Sequence, residues 1–161
     1  MPAEGAVNPE QRDTLKACAL LFIVTFLVFS PALSFPFLNY DDPDFILSNG
    51  AVQMGLTWTS IKWAFQSLFI YWQPLTWISY MADFHFWGLN PRGYHLTNLA
   101  LHLLNTLLVF SLARELFRRA GRPQGVVWGP EAAALLFALD QLRVESVAWV
   151  TQRRDVLSNA F

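Results

Sequence analysis

Residues 17–33, ACALLFIVTFLVFSPAL, decide the fold of this chain because they contain no charged side chain. An α-helix needs roughly 20 apolar residues to cross about 30 Å of hydrocarbon. We therefore predict a first membrane span over residues 16–33. Arg12 and Lys16 precede the apolar run, as they would in a secretory signal peptide, so a cleaved signal peptide is the alternative interpretation.

Two further apolar stretches follow. Residues 94–116, YHLTNLALHLLNTLLVFSLAREL, are long enough for a second span, and residues 125–139 form a shorter third candidate. The second stretch is followed by a basic cluster, Arg118, Arg119 and Arg122, which should remain cytoplasmic under the positive-inside rule. With the basic residues before the first span also inside, the N-terminus is predicted to be cytoplasmic and the loop 34–93 to lie on the outer face.

Composition supports this class of protein. The chain is 54% hydrophobic and 14% charged, whereas about a quarter of the residues in a soluble domain are charged. The formal net charge is −1, and no basic stripe or recognised nucleic-acid motif is present, so nucleic-acid binding is not predicted. We predict an all-α, polytopic membrane protein with about three transmembrane helices, in which residues 1–161 form one unit.

The outer loop is rich in aromatic residues and contains five of the seven tryptophans. Apolar side chains recur there at helical spacing: Ile61, Phe65, Leu68, Phe69 and Trp72. Aromatic rings are favoured at the headgroup level of a membrane. We predict helices that lie in the outer interface, the second of them beginning at Pro74. A buried helix pair in a soluble cap is the alternative.

A carboxylate pair, Asp41-Asp42, stands just past the first span in the stretch NYDDPD at residues 39–44. Ionisable groups next to a membrane span often mark a functional site. If both carboxylates were desolvated, each would raise the pKa of the other, and one could act as a general base. The alternative is turn formation, since the stretch is rich in turn residues and Asp42 precedes a proline.

A polar stripe runs along the second span. Its members, spaced at i, i+3, i+7 and i+10, share one helical face: His95, Asn98, His102 and Asn105. Such a face should point into a helix bundle, where its members hydrogen-bond to neighbouring helices. The functional alternative is that His95, the outermost member, binds substrate in a site shared with the aspartates.

No cofactor is predicted. A divalent metal is a weaker possibility, because five side chains could supply oxygen and nitrogen ligands without matching a tight metal signature: Asp41, Asp42, Asp44, His85 and His95. Two arginines near the outer end of the third span, Arg153 and Arg154, are candidates for binding a phosphate group, since arginine matches phosphate geometry, and the nearby Glu145 is a further candidate for binding substrate. The alternative is a salt bridge from these arginines to Glu145 or Asp155.

Several blocks of the sequence, in order over residues 20–161, resemble the membrane-bound, TPR-containing O-mannosyltransferase family with the GT-C glycosyltransferase fold. The blocks are FLNYDDP at 37–43, PLTW at 74–77, GLNP at 88–91, YHLTN at 94–98 with His102, VESVAWV at 144–150 and RRDVLS at 153–158. The resemblance implies a GT-C-like enzyme that transfers a sugar from a polyprenyl-phosphate carrier to a hydroxyl of a protein or glycan acceptor on the outer face. By similarity, Asp41 or Asp42 is the catalytic base.

The chain departs from the family pattern at Asp140-Gln141, where the family tends to have His-Pro, and at Gln73 and Tyr80, where it tends to have His. No TPR helices are present. We therefore interpret the chain as the N-terminal portion of such an enzyme and expect residues 1–161 alone to be inactive. Two other functions are possible, a non-catalytic scaffold or assembly subunit and a piece of a transporter. A bacterial inner membrane is favoured as the location, or the endoplasmic reticulum membrane if the source is eukaryotic.

Overall fold

A computed structural model describes residues 8–69, 71–121 and 128–159, and the regular structure in these ranges is helical. The all-α class is therefore confirmed. The α-helices are α1 Pro9–Phe29, α2 Gly50–Gln53, α3 Trp58–Gln66, α4 Pro74–Trp87, α5 Pro91–Arg119, α6 Gly129–Leu139, α7 Gln141–Ala148 and α8 Arg153–Ser158. Short 3₁₀-helical turns occur at Ser30–Ser34 and Val150–Gln152, and a π-helical turn occurs at Pro43–Leu47.

Two helices of the described part of the chain are long and apolar enough to cross a membrane, as predicted. The first continues from Pro9 through the turn at Ser34, and the second is α5. Both extend beyond the predicted spans 16–33 and 94–116. The third candidate contains α6, an apolar helix of 11 residues. Residues 125–127 lie outside the described residues, so this third span stays a prediction.

Helix α1 begins with a complete capping box, in which the Asn8 side chain accepts the backbone N–H of Glu10 and the side chain of Gln11 accepts the N–H of Asn8. Its buried side packs along α5. Leu21 lies in one apolar cluster with residues of α5 and α6, and Phe29 lies in another with residues of α5 and α7. This packing makes α1 part of the helical core and favours the span over a cleaved signal peptide.

The outer segment forms its own buried core around Trp77 of α4. The indole stacks on Phe45 at 5.1 Å between ring centroids and meets Trp63 edge-on at 5.4 Å. Pro74 begins α4 as predicted. The prediction of one helical face over residues 61–72 was wrong, because α3 ends at Gln66, where the backbone turns extended at Ser67. Membrane-interface placement of this segment stays a prediction.

The connection from α4 to α5 is short and fixes the first turn of α5. Gly88 ends α4 at a φ of 59°, a left-handed conformation that a side chain would strain. Asn90 then caps α5 by accepting the backbone N–H of Arg92 at 3.2 Å, and Pro91 occupies its first turn. Gly93 lies directly under the Trp87 ring, where a methyl group would overlap the indole. The tight connection places Tyr94 and His95 beside the outer core.

Candidate functional site

The two adjacent aspartates, Asp41 and Asp42, lie in different environments. Asp42 is completely buried, and its Oδ2 accepts the backbone N–H of Leu38 at 2.7 Å. Its Oδ1 has no hydrogen-bond partner among the described residues. Asp41 is half-buried, and its backbone carbonyl accepts the N–H groups of Asp44 and Phe45 at 3.1 and 3.0 Å. Turn formation thus accounts for Asp41, whereas Asp42 is a buried carboxylate with an available oxygen.

Burial dominates the electrostatics of Asp42 and raises the pKa of its carboxyl group. The Leu38 N–H, the polar groups of Thr151 and the nearby His95 act in the opposite direction, with smaller effects. Asp41 is not among these influences. The sequence analysis expected the two carboxylates to raise the pKa of each other only if both were desolvated. Asp41 is half-buried, and the largest cause of the raised pKa of Asp42 is desolvation of its own side chain.

All four members of the polar stripe on α5 are buried. Asn98 donates from Nδ2 to the Trp149 carbonyl at 3.3 Å, His102 donates from Nε2 to the Ala138 carbonyl at 3.0 Å, and Asn105 donates to the Val156 carbonyl at 2.7 Å. These bonds join α5 to α6 and to the segment that follows α6, as the structural interpretation of the stripe predicted.

His95 differs from the rest of the stripe. Neither of its ring nitrogens has a hydrogen-bond partner among the described residues. The Phe35 ring meets the imidazole edge-on at 6.3 Å between centroids, and the charge of Asp42 is close enough to interact with it. The structure therefore places His95 near Asp42. The role of His95 in binding substrate stays a prediction.

Arg153 occupies the centre of a buried polar network. Its guanidinium has no exposed surface. It forms an ion pair with Asp83 of α4, donates from Nε to Asn98 Oδ1 at 2.7 Å, and donates from Nη2 to the Tyr94 carbonyl at 2.8 Å. The guanidinium also lies over the Tyr80 ring, 4.8 Å from its centroid. In this arrangement Arg153 cannot contact a phosphate, contrary to the sequence-based hypothesis.

Asp83 was missed by the sequence reasoning. It is the only acidic residue of α4, and such an isolated carboxylate in an apolar helix is a signal for a buried partner. Thr97 Oγ1 donates to its Oδ1 at 2.6 Å. Burial raises the pKa of Asp83, while the Arg153 charge and the Thr97 hydroxyl oppose that effect.

The other two substrate-binding candidates of this group, Arg154 and Glu145, lie at the surface. Arg154 is 49% exposed at its side chain and lies 3.5 Å from Asp155, so the predicted salt bridge forms there. Its guanidinium also stands over the Tyr71 ring at 5.3 Å. Glu145 is exposed and accepts from Gln152 Nε2 at 3.3 Å. Arg154 is thus the arginine of this pair that can reach a ligand.

The five candidate metal ligands do not converge. Within the described ranges, no three His, Cys, Asp or Glu side chains are placed to hold an ion together. Asp44 and His85 are exposed, whereas Asp42 and His95 are buried. The arrangement around Asp42 offers a carboxylate and an imidazole, which are groups suited to accepting and moving a proton.

The raised pKa of Asp42 predicts a pH-dependent effect of the Asp42→Asn substitution on stability. Because the folded state favours the protonated carboxyl, ionisation destabilises the folded protein as the pH rises from the ordinary aspartate value of about 3.9 through the folded pKa. We expect Asp42→Asn to gain free energy of unfolding relative to the wild type as the pH rises through that window, and to show no further gain above it. Thermal unfolding in detergent micelles, followed by circular dichroism from pH 4 to 8, measures this difference.

Asp44→Asn is the matched control, because Asp44 is exposed. Its stability difference from the wild type should vary much less over the same pH range. A flat difference for Asp42→Asn would mean that the Asp42 carboxyl is solvated in the folded protein.

Comparison with known proteins gives one consistent set of relatives. Protein O-mannosyl-transferase Tmtc1 of Drosophila melanogaster is 38% identical over 87 residues, which are 54% of this chain and 9% of the relative. Tmtc2 of the same species is 30% identical over 151 residues, 86% of this chain and 15% of the relative. TMTC1 of Mus musculus is 28% identical over 155 residues, 88% of this chain and 15% of the relative.

The chain therefore spans less than a fifth of the length of these relatives. No protein-family model matches it, and no solved structure matches it. All three relatives carry the same activity in their names, and two of them align with most of the chain. The chain is thus related to the Tmtc protein O-mannosyl-transferases, which confirms the family that its sequence motifs predicted.

Proposed function

We propose that this chain forms part of a membrane glycosyltransferase in which Asp42 is the general base. The observation that carries the proposal is a buried carboxylate with one unused oxygen, placed just after a membrane-spanning helix in a relative of O-mannosyl-transferases. The reaction is transfer of a mannosyl group from a polyprenyl-phosphate-linked donor to an acceptor hydroxyl on the outer face. Arg154 and the neighbouring exposed side chains are the part of this chain that meets the donor.

In the proposed step, Asp42 Oδ1 takes the proton of the acceptor hydroxyl while the hydroxyl oxygen forms a bond to C1 of the sugar. The bond from C1 to the phosphate oxygen breaks, and polyprenyl phosphate leaves with its electron pair, so the configuration at C1 inverts. A raised pKa suits Asp42 to this task, because a base is most effective when its pKa lies near the operating pH. Since Asp42 is buried, the acceptor reaches it only when the residues that cover it move aside.

Donor binding is assigned to Arg154 rather than to Arg153. The ion pair of Arg154 with Asp155 is exposed on both sides, and such pairs are worth only about 0–1 kcal/mol. A lipid-linked phosphate can therefore replace Asp155 at little cost, and the Arg154 guanidinium offers it two parallel N–H groups. Glu145 and His95 are proposed to contact the sugar or acceptor.

The protein is a membrane protein, and its proposed orientation places the N-terminus in the cytoplasm. The relatives compared above are animal proteins, so the comparisons do not support the bacterial inner membrane that the sequence analysis favoured. We propose the endoplasmic reticulum membrane instead, with Asp42 on the lumenal side.

The test is transfer of radiolabelled mannose in membranes that contain the full-length protein. The donor is polyprenyl phosphate mannose, and the acceptor is a serine- and threonine-containing protein. We expect incorporation that depends on the protein and that excess polyprenyl phosphate inhibits. Correctly inserted protein that gives no incorporation above membranes without it would contradict the proposal and favour the scaffold alternative.

A further inference from the structure

We propose that Arg153 is a positioning residue. Its buried contacts and those of the residues just before it, together called the lock, fix residues 149–153 to α4 and α5 and so hold Thr151 beside the carboxylate of Asp42. The structural part of this inference stands on contacts within the chain. Its consequence for sugar transfer rests on the function proposed above, in which Asp42 is the base.

The first part of the lock is the buried guanidinium. It links three partners on two helices: the Asp83 carboxylate, the Asn98 side chain and the Tyr94 carbonyl. Asp83 is itself fixed by the Thr97 hydroxyl. Because α4 supplies Asp83 and α5 supplies the other partners, one side chain ties the start of α8 to two helices at once.

The second part of the lock acts on the residues just before Arg153. Asn98, which accepts from Arg153, also donates to the Trp149 carbonyl. The Tyr80 hydroxyl donates to the Val150 carbonyl at 3.3 Å. Residues 149, 150 and 153 are therefore each held. The Trp149 ring also meets the Tyr40 ring edge-on at 5.6 Å between centroids, so this segment packs against the turn that carries Asp42, and Thr151, between the held residues, is buried there.

Lysine cannot replace arginine in this lock. The guanidinium is planar and rigid, and its N–H groups point to separate acceptors, whereas an ammonium is a single point charge on a flexible stem. Arg153→Lys keeps the charge next to Asp83 but gives up the simultaneous bonds to Asn98 and Tyr94. The substitution therefore loosens the lock without leaving Asp83 unpaired.

The experiment measures the accessibility of Asp42 in the full-length protein in native membranes. A water-soluble carbodiimide and glycine ethyl ester modify accessible carboxyl groups, and fragment mass spectra assign the modification to single residues. We expect the rate at Asp42 to rise about fivefold in Arg153→Lys, because local opening becomes more frequent. Arg154→Lys, a surface substitution, should leave that rate within about twofold of wild type, and exposed Asp44 should react equally in all three proteins.

An unchanged rate at Asp42 in correctly inserted Arg153→Lys overturns the inference. If that variant is not inserted in the wild-type amount, Asn98→Ala tests the same link, because it removes the acceptor of Arg153 Nε and the donor to Trp149 while keeping the ion pair. The same rise at Asp42 is expected there, and no rise overturns the inference.

A transfer assay separates this inference from the proposed function. If both hold, Arg153→Lys lowers kcat about tenfold while the donor KM stays within about twofold, since the base is misplaced but donor contacts remain. If Arg153→Lys raises the Asp42 modification rate but the wild type transfers no sugar, the positioning role stands and the proposed function fails. If the wild type transfers sugar but Arg153→Lys changes neither quantity, the positioning role fails alone.

Discussion

Replacing Arg153 by alanine is expected to lower the free energy of unfolding by about 3–5 kcal/mol, the usual cost of removing one partner from a buried ion pair. The substitution leaves the Asp83 carboxylate buried beside Thr97 alone. It also leaves the Asn98 side-chain oxygen and the Tyr94 carbonyl without their donor. Chemical unfolding in detergent micelles, followed by circular dichroism, measures the loss.

Arg154→Ala is the matched control for this prediction. Arg154 also pairs with an aspartate, but the pair is half exposed, so its removal should cost about 0–1 kcal/mol. Equal losses for the two variants would show that Arg153 is solvated and that the buried network does not form.

The sequence was sufficient to predict the membrane helices and the shared face of the α5 stripe. Both follow from local pattern: an uncharged run of helical length predicts a span, and polar residues at i, i+3, i+7 and i+10 must share a face. The start of α4 was predictable for the same reason, since proline is favoured in the first turn of a helix. Each of these features depends only on residues that are close together in the sequence.

The partner of Arg153 could not be predicted from such patterns. Asp83 lies 70 residues away in the chain, and the sequence reasoning considered only the nearby Glu145 and Asp155. Likewise, Asp41 and Asp42 look equivalent in the sequence, and only the packing of the outer core buries one of them. Long-range packing, which no local spacing encodes, decides the candidate site.

Sugar transfer should fall about 10²- to 10⁴-fold in Asp42→Asn, the range that a positioned general base contributes. Asparagine has nearly the shape of aspartate and keeps an oxygen to accept the Leu38 N–H, but it cannot take the acceptor proton. Because the substitution is expected to gain stability as the pH rises above 4, lost transfer at neutral pH would not come from unfolding. Asp44→Asn, at an exposed site in the same turn, should transfer at close to the wild-type rate.

The measurement that tests the central claim most directly is a side-by-side comparison of transfer rates for Asp41→Asn and Asp42→Asn. Both are made in the full-length protein and normalised to the amount inserted in the membrane. If the buried carboxylate is the base, Asp42→Asn loses at least about 10²-fold and Asp41→Asn stays within about tenfold of wild type. Loss of transfer in Asp41→Asn with transfer retained in Asp42→Asn would contradict the account, and would leave Asp42 as a structural carboxylate beneath the true base.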